Sequence, residues 1–260
     1  MKPLTCLFSI LFLLGTFPVL CQEEVPELTT DRPDQTESSS VVPRRALQVE
    51  TGFVLQKDRG EVVTLKNIAY NATLLRYGLT KNFEVRLGFD YLGEKAEFSN
   101  SGFSYNLSGL GPLYTGFKTR MLEEQGWIPE MAFLGGVVWP FPASDDFRPG
   151  YASARMRFAF SHTLAPSLSL GYNLGAEWDG NTPMPTWPYS IALGIAVAPR
   201  LGVFMESYGV WQDVPEHKAD AGITFLALPN LQLDLSLGVG LTEDAADHFM
   251  GFGVSFRLPE

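Results

Sequence analysis

Residues 71–91, NATLLRYGLTKNFEVRLGFDY, change character at every step. Phe83, Val85, Leu87, Phe89 and Tyr91 take every second position, and Glu84, Arg86, Gly88 and Asp90 fill the gaps. Side chains of a strand point to opposite faces in turn. One face of this arm is therefore apolar and aromatic, and the other is charged or small. Leu75, Tyr77 and Leu79 repeat the rule ahead of a turn at 80–82, against Arg76 and Gly78. A soluble sandwich accommodates one such hairpin. This chain has about six.

Taken in order, the alternation predicts strands at residues 46–56, 71–79, 83–91, 113–121, 127–139, 154–161, 168–178, 189–197, 201–211, 219–225, 231–239 and 250–258. That makes twelve, with about twenty residues of chain for each strand and its loop, which leaves room for the roughly 9–11 residues a tilted strand needs to cross a bilayer. Residues 127–139 and 201–211 have a blurred period; Glu206 is placed inward as the only charge in its run. Residues 93–108, 140–150 and 179–188 read as loops. Short turns at 80–82, 123–126, 163–166, 198–200 and 228–230 alternate with generally longer or more polar links.

The direction of the two faces follows from side-chain volume. Tyr77, Phe89, Tyr91, Phe158, Phe160, Tyr172 and Trp178 lie on the apolar face, with leucines between them. Twelve strands carrying such residues would not pack them around one axis. Reversed, the pattern is consistent: apolar rows meet lipid and the small and ionised residues line a lumen. The expected fold is all-β, a closed antiparallel transmembrane β-barrel of about 12 strands, with short periplasmic turns, longer outer loops and both termini in the periplasm. The predicted lumen-facing charges are Glu50, Glu84, Arg86, Asp90, Lys118, Arg120, Arg155, Arg157, Glu177, Glu206, Asp220, Asp234 and Arg257.

The N-terminal segment is different. Lys2, an apolar run and a short residue at Cys21 form the layout of a secretory signal over residues 1–21. Acylation of Cys21 as a lipoprotein is the alternative. Residues 22–45 are a polar leader, poor in large apolar residues and unable to bury a core of their own. Under cleavage after Cys21 both cysteines, Cys6 and Cys21, are removed, which leaves no thiolate for a disulfide or a metal in the mature chain. The net charge of −10 and the lack of any basic cluster beyond Arg44–Arg45 exclude nucleic acid as a partner. No cofactor or metal motif is present.

Four stretches carry a family resemblance: TTDRPDQTESSSVVP followed by LQVETGF, the YGLTKNFEVRLG hairpin, FAFSHTL with LSLGYNLGAEWDG, and PNLQLDLSLGVGL with FGVSFRLP. They resemble the outer-membrane transporter family named for the MetA pathway of phenol degradation. That resemblance implies an outer-membrane barrel of a Gram-negative bacterium, and its name implies passage of aromatic compounds.

Three functional readings follow. In the first, a passive channel, the inward charges select small solutes, with Lys118, Arg120, Arg155 and Arg157 as a basic arc favouring anions. In the second, a structural barrel, the same charges close the lumen as salt bridges. The third is an outer-membrane hydrolase, for which His162 (in a predicted turn), His217 and His248 are the available histidines; no serine at a suitable depth accompanies them. Asp31, Arg32, Asp34 and Glu37 are candidate plug residues if the leader folds into the lumen; a periplasmic tail is the slightly preferred alternative. Expected partners are outer-membrane lipid and lipopolysaccharide, the barrel-assembly machinery, which reads an aromatic-rich last strand, and an unspecified small solute.

Overall fold

A computed structural model describes residues 26–259. The predicted signal segment with Cys6 and Cys21 lies outside the described residues. Fourteen strands form: β1 Leu47–Arg59, β2 Val63–Thr80, β3 Phe83–Phe89, β4 Tyr91–Phe98, β5 Ser104–Leu110, β6 Leu113–Leu122, β7 Glu130–Trp139, β8 Ser153–Ala165, β9 Leu168–Glu177, β10 Trp187–Ala198, β11 Leu201–Trp211, β12 Glu216–Leu228, β13 Leu231–Gly240 and β14 His248–Leu258. Twelve of them make one closed antiparallel ring. It runs β1-β2-β3-β6 and on to β14, and β1 closes it by pairing with both β2 and β14. Leu47 stands opposite Leu258 on one side and Tyr77 on the other. Closure leaves the ring no free edge. Both described termini lie at one end, the terminal end; the long links lie at the other, the loop end.

β4 and β5 correct the sequence reading, which took residues 93–108 as a loop. β2 outruns β3, so its half nearer the terminal end pairs with β3 and its other half, Val63 to Ala69, pairs with β4. β5 then pairs with β4; β4 prolongs β3 and β5 leads into β6, so the hairpin extends the wall at the loop end. It carries Lys95, Glu97 and Asn106 where ring strands carry leucine, and a search for apolar rows passes over it.

Burial runs opposite to that of a soluble protein. On β13, Leu233, Leu235, Leu237 and Val239 are exposed while Gln232, Asp234 and Ser236 are buried. The largest fully buried side chains include Arg76, Lys118, Gln48, Glu50 and Glu84. Outside, aromatic rings follow one another across five strands: Phe83–Phe117 at 5.6 Å, Phe117–Phe133 at 6.0 Å, Phe133–Phe158 at 5.0 Å, Phe158–Phe160 at 6.4 Å and Phe160–Tyr172 at 4.9 Å. Such a girdle marks a membrane–water interface. The exposed Trp139, Trp187 and Trp211 sit toward the loop end.

The two blurred strands are apolar on both faces. β7 turns Ala132, Leu134 and Val138 inward, all buried. β11 turns Phe204 and Tyr208 inward together with the charge Glu206, which is buried as expected. Gly222 and Gly238 leave the space into which the Phe204 and Phe249 rings press. Two boundaries also shift. β7 begins at Glu130, since Gln125 and Ile128 exchange backbone hydrogen bonds of 3.0 Å around a tip bearing the exposed Trp127. His162 lies on β8, its ring 6.0 Å from Tyr172, rather than in the turn.

If the outer face meets lipid, Leu235→Arg at the middle of β13 should cost about 2–4 kcal/mol, while Leu235→Phe should change stability by less than about 1.5 kcal/mol. Reversible urea unfolding in lipid vesicles reads both.

Candidate functional site

The ring wall carries three fully buried cations on adjacent strands, Arg76, Arg86 and Lys118. Period-two alternation places all three inside, where low polarity makes an unpaired charge expensive. The wall supplies two carboxylates to them. Arg76 reaches Glu50 at 2.9 Å and Glu84 at 2.8 Å. The leader supplies the rest. Asp31 lies 2.9 Å from Lys118, 2.9 Å from Arg86 and 3.0 Å from Arg76. Glu37 lies 2.8 Å from Arg86.

The leader is therefore inside the lumen, not a tail beyond it. It enters at the terminal end, where the Arg257 guanidinium donates to the carbonyls of Pro26 and Glu27. Gln48 donates to the Thr29 carbonyl at 2.8 Å. At Asp31 the chain begins a loop closed by the Ser38 amide and hydroxyl, which donate to one Asp31 oxygen at 2.9 and 2.8 Å. The loop spans the bore. Arg32 reaches Asp234 at 3.2 Å. The Gln35 amide donates to Glu206 at 2.8 Å, the Thr36 hydroxyl donates to Glu206, and the Glu37 amide donates to Asn173 at 2.7 Å. The returning arm passes Glu130, which accepts from Ser39 at 2.7 Å, and Glu84, which accepts from the Val42 amide at 2.6 Å. It leaves along Gly78, whose carbonyl accepts from the Arg45 amide at 2.7 Å.

The wall is cut to this path by glycine. Gly52 and Gly253 face each other across β1 and β14, and a Cβ on either would overlap the Arg32 guanidinium. A Cβ on Gly78 would strike the carbonyl oxygens of Val42 and Pro43.

Above the loop lies a chamber of about 430 Å³, reaching from Asp34 and Gln35 to Tyr114, Leu134 and Arg155. The Tyr114 ring lies over Gly116 and Gly136, where a side chain would collide with it. The Arg155 guanidinium stands 5.9 Å from the centre of that ring. Arg157 pairs with Glu177 at 2.6 Å and donates to the Gln35 carbonyl at 3.2 Å.

Of the predicted inward residues, Glu50, Glu84, Arg86 and Lys118 meet Asp31 and Glu37 in the ionic knot. Glu206, Asp234 and Arg257 hold other parts of the leader. Asp220 faces Glu206 across the β11–β12 register, and both its carboxylate oxygens are buried without a hydrogen-bond partner. Asp90, Arg155, Arg157 and Glu177 line the chamber, with Asp34 of the leader. Asp90 sits at the break between β3 and β4, where it accepts from the Thr73 amide at 3.3 Å. The expected basic arc is not one cluster. Lys118 is neutralised in the knot, Arg120 pairs with Glu123 and Glu130 at 3.4 and 3.8 Å, and Arg155 and Arg157 belong to the chamber. The alternation put Arg76 on the inner face, yet the inward set omitted it, and it proves to be the centre of the knot. Tyr189, whose hydroxyl meets His217, and Tyr172 beside His162 stand on the outer face, so neither histidine looks into the lumen. Among the described residues no group of three or more His, Cys, Asp or Glu is arranged to hold a metal.

The sequence matches the family model described as "Putative MetA-pathway of phenol degradation" over residues 30–258. The chain belongs to that family. Its architecture is shared by an outer membrane channel from Pseudomonas putida F1, at a TM-score of 0.66 and 12% identity over 89% of this chain and 100% of the other. The translocator domain of the autotransporter NalP from Neisseria meningitidis follows at a TM-score of 0.51 and 10% identity, covering 82% of this chain and 88% of that one. The transport unit of the autotransporter AIDA-I from Escherichia coli also reaches 0.51, at 8% identity over 88% and 91% of the two chains. No curated protein matches the chain in sequence. At these identities the likeness is one of fold.

Replacing Asp31 removes the anion common to three buried cations, a change of the kind that costs about 3–5 kcal/mol. In Asp31→Asn, amide exchange at Ser38 and Val42 should accelerate by about a hundredfold or more. The strand amides of β13 should keep their protection.

Proposed function

We propose that this family member is an outer-membrane channel for passive passage of small solutes, whose leader plugs the half of the bore nearer the periplasm. The observation that carries this reading is the ionic knot: Asp31, a leader residue, is the shared counter-ion of Arg76, Arg86 and Lys118 inside the ring. The short turns at the terminal end fit the periplasmic side, and the longer links fit the outer side. A solute arriving from outside meets the chamber first, with its guanidinium groups, carboxylates and the Tyr114 face. It then meets the leader. Onward passage needs the loop to yield, and a loop tied by hydrogen bonds and ion pairs rather than by an apolar core is the kind of element that opens locally.

A second reading has one observation behind it. The knot leaves Asp31 almost fully out of reach of water, as expected of a structural barrel sealed by salt bridges. The hydrolase reading has no such support, because His162 and His217 stand on the outer face.

Liposomes containing the mature protein separate the first two readings. The channel reading expects swelling in small neutral, anionic or aromatic solutes, falling off with solute size and several times faster for Asp31→Asn. An absence of swelling with every solute, in both proteins, establishes the sealed barrel.

A further inference from the structure

Four side chains line up on the outer face of the wall near the loop end. In the strand registers His248 faces Lys57, Lys57 faces Lys66, and Lys66 faces Lys95, across β14, β1, β2 and β4. Three of the chain's seven lysines are thus neighbours in one row. Like charges placed directly opposite each other destabilise a sheet, so the row is unfavourable until something negative covers it. Glu97 does part of this, at 3.0 Å from Lys66 and 2.9 Å from Lys95. Hydrogen bonds from those two lysines hold its carboxyl down to about 2. Lys57 has no carboxylate within ion-pair distance among the described residues, and Asp247 nearby is engaged by the Arg59 amide at 3.1 Å.

A second feature sits beneath the first. Four residues nearer the terminal end on each of the same strands is an aromatic residue: Phe252 on β14, Phe53 on β1, Tyr70 on β2 and Tyr91 on β4. Phe53 stacks on Phe252 at 5.4 Å and meets Tyr70 edge-on at 6.4 Å, and Tyr70 lies 5.8 Å from Tyr91. Between the tiers stand Met250, Leu55, Ile68 and Gly93. Four residues of strand span about 13 Å. The surface therefore has cations above, aliphatic side chains in the middle and a continuous ring surface below.

We propose that this face, at the seam where the first and last strands close the barrel, binds one phosphorylated, acylated lipid of the outer leaflet, of the lipid A class. The phosphate oxygens take the ammonium groups of Lys57 and Lys66, with His248 and Lys95 flanking, and the acyl chains lie along the middle tier onto the rings. Charge complementarity selects the headgroup and the aromatic tier selects a lipid over a soluble phosphate. The inference rests on the outer-membrane reading with the loop end outside, and not on whether the bore conducts.

Full-length mature protein in detergent is titrated with lipid A bearing its phosphates, with dephosphorylated lipid A and with inorganic phosphate, and bound lipid is counted by native mass spectrometry. The expected result is one retained phosphorylated lipid, with the dephosphorylated lipid bound about tenfold more weakly or worse and inorganic phosphate not retained. Lys57→Gln with Lys66→Gln should lose the preference, and Arg200→Gln in a short turn at the terminal end should keep it. Equal binding of both lipids, retention of inorganic phosphate, or an unchanged preference in the double variant overturns the proposal. The lipid comparison on the unaltered protein decides even if the double variant does not fold. Loss of swelling in the liposome experiment would leave this result untouched.

Discussion

Arg76, Arg86 and Lys118 lie together in a space that admits almost no water, and the wall offers them Glu50 and Glu84. Both of these carboxylates pair with Arg76, and most of what is particular to this barrel follows from what meets Arg86 and Lys118. Two carboxylates from outside the ring, Asp31 and Glu37, complete the set, and both belong to a stretch too polar to fold alone. A buried ion pair is a poor source of net stability, but removing one partner is costly because the other stays buried and charged. The knot is therefore best understood as a positioning device. It fixes where the leader crosses the bore more than it strengthens the barrel.

The rest of the lumen is shaped around that crossing. Gly52 and Gly253 make a floor for Arg32, and Gly78 lets the returning backbone lie against β2. On the opposite arc Glu206 is engaged by the leader's backbone and hydroxyl groups, while Asp220 beside it is left without a partner. The lumen is consequently uneven. One side is an ionic knot with little room, the other is acidic and packed with Phe204, Tyr208 and Phe249, and the free space lies toward the loop end. The outer face shows the same coupling of pattern to environment, with aromatic rings at interface depth and leucine rows between.

Sequence alternation carried the fold well where one face was apolar and the other polar. β13 and β14 are read off residue by residue, and the number of ring strands follows from the same rule; the inward position of Glu206 rests on a different ground, its being the only charge in its run. It failed where the environment removed the contrast. β4 and β5 extend the wall at the loop end and carry lysine, glutamate and asparagine where the ring strands carry leucine; β7 and β11 are apolar on both faces because part of the lumen is filled by side chains. The individual inward charges were legible, since parity alone assigns them, and Arg76 was as visible as Arg86. Their partners were not. Nothing in the spacing of TTDRPDQTE says that Asp31 crosses to Lys118 and Arg32 to Asp234, because those meetings depend on ring curvature and on depth along each strand. The glycine floors were likewise invisible: a glycine in an alternating strand fills a small inward position, and only the path of the leader shows which ones it occupies.

The central claim is that leader carboxylates both occupy the bore and cancel its cations, and planar-bilayer recording tests it most directly. Deleting residues 26–42 should raise single-channel conductance severalfold and shift ion preference toward anions, because Arg76, Arg86 and Lys118 would then face open water with too few carboxylates. Unchanged conductance together with unchanged selectivity would contradict the account.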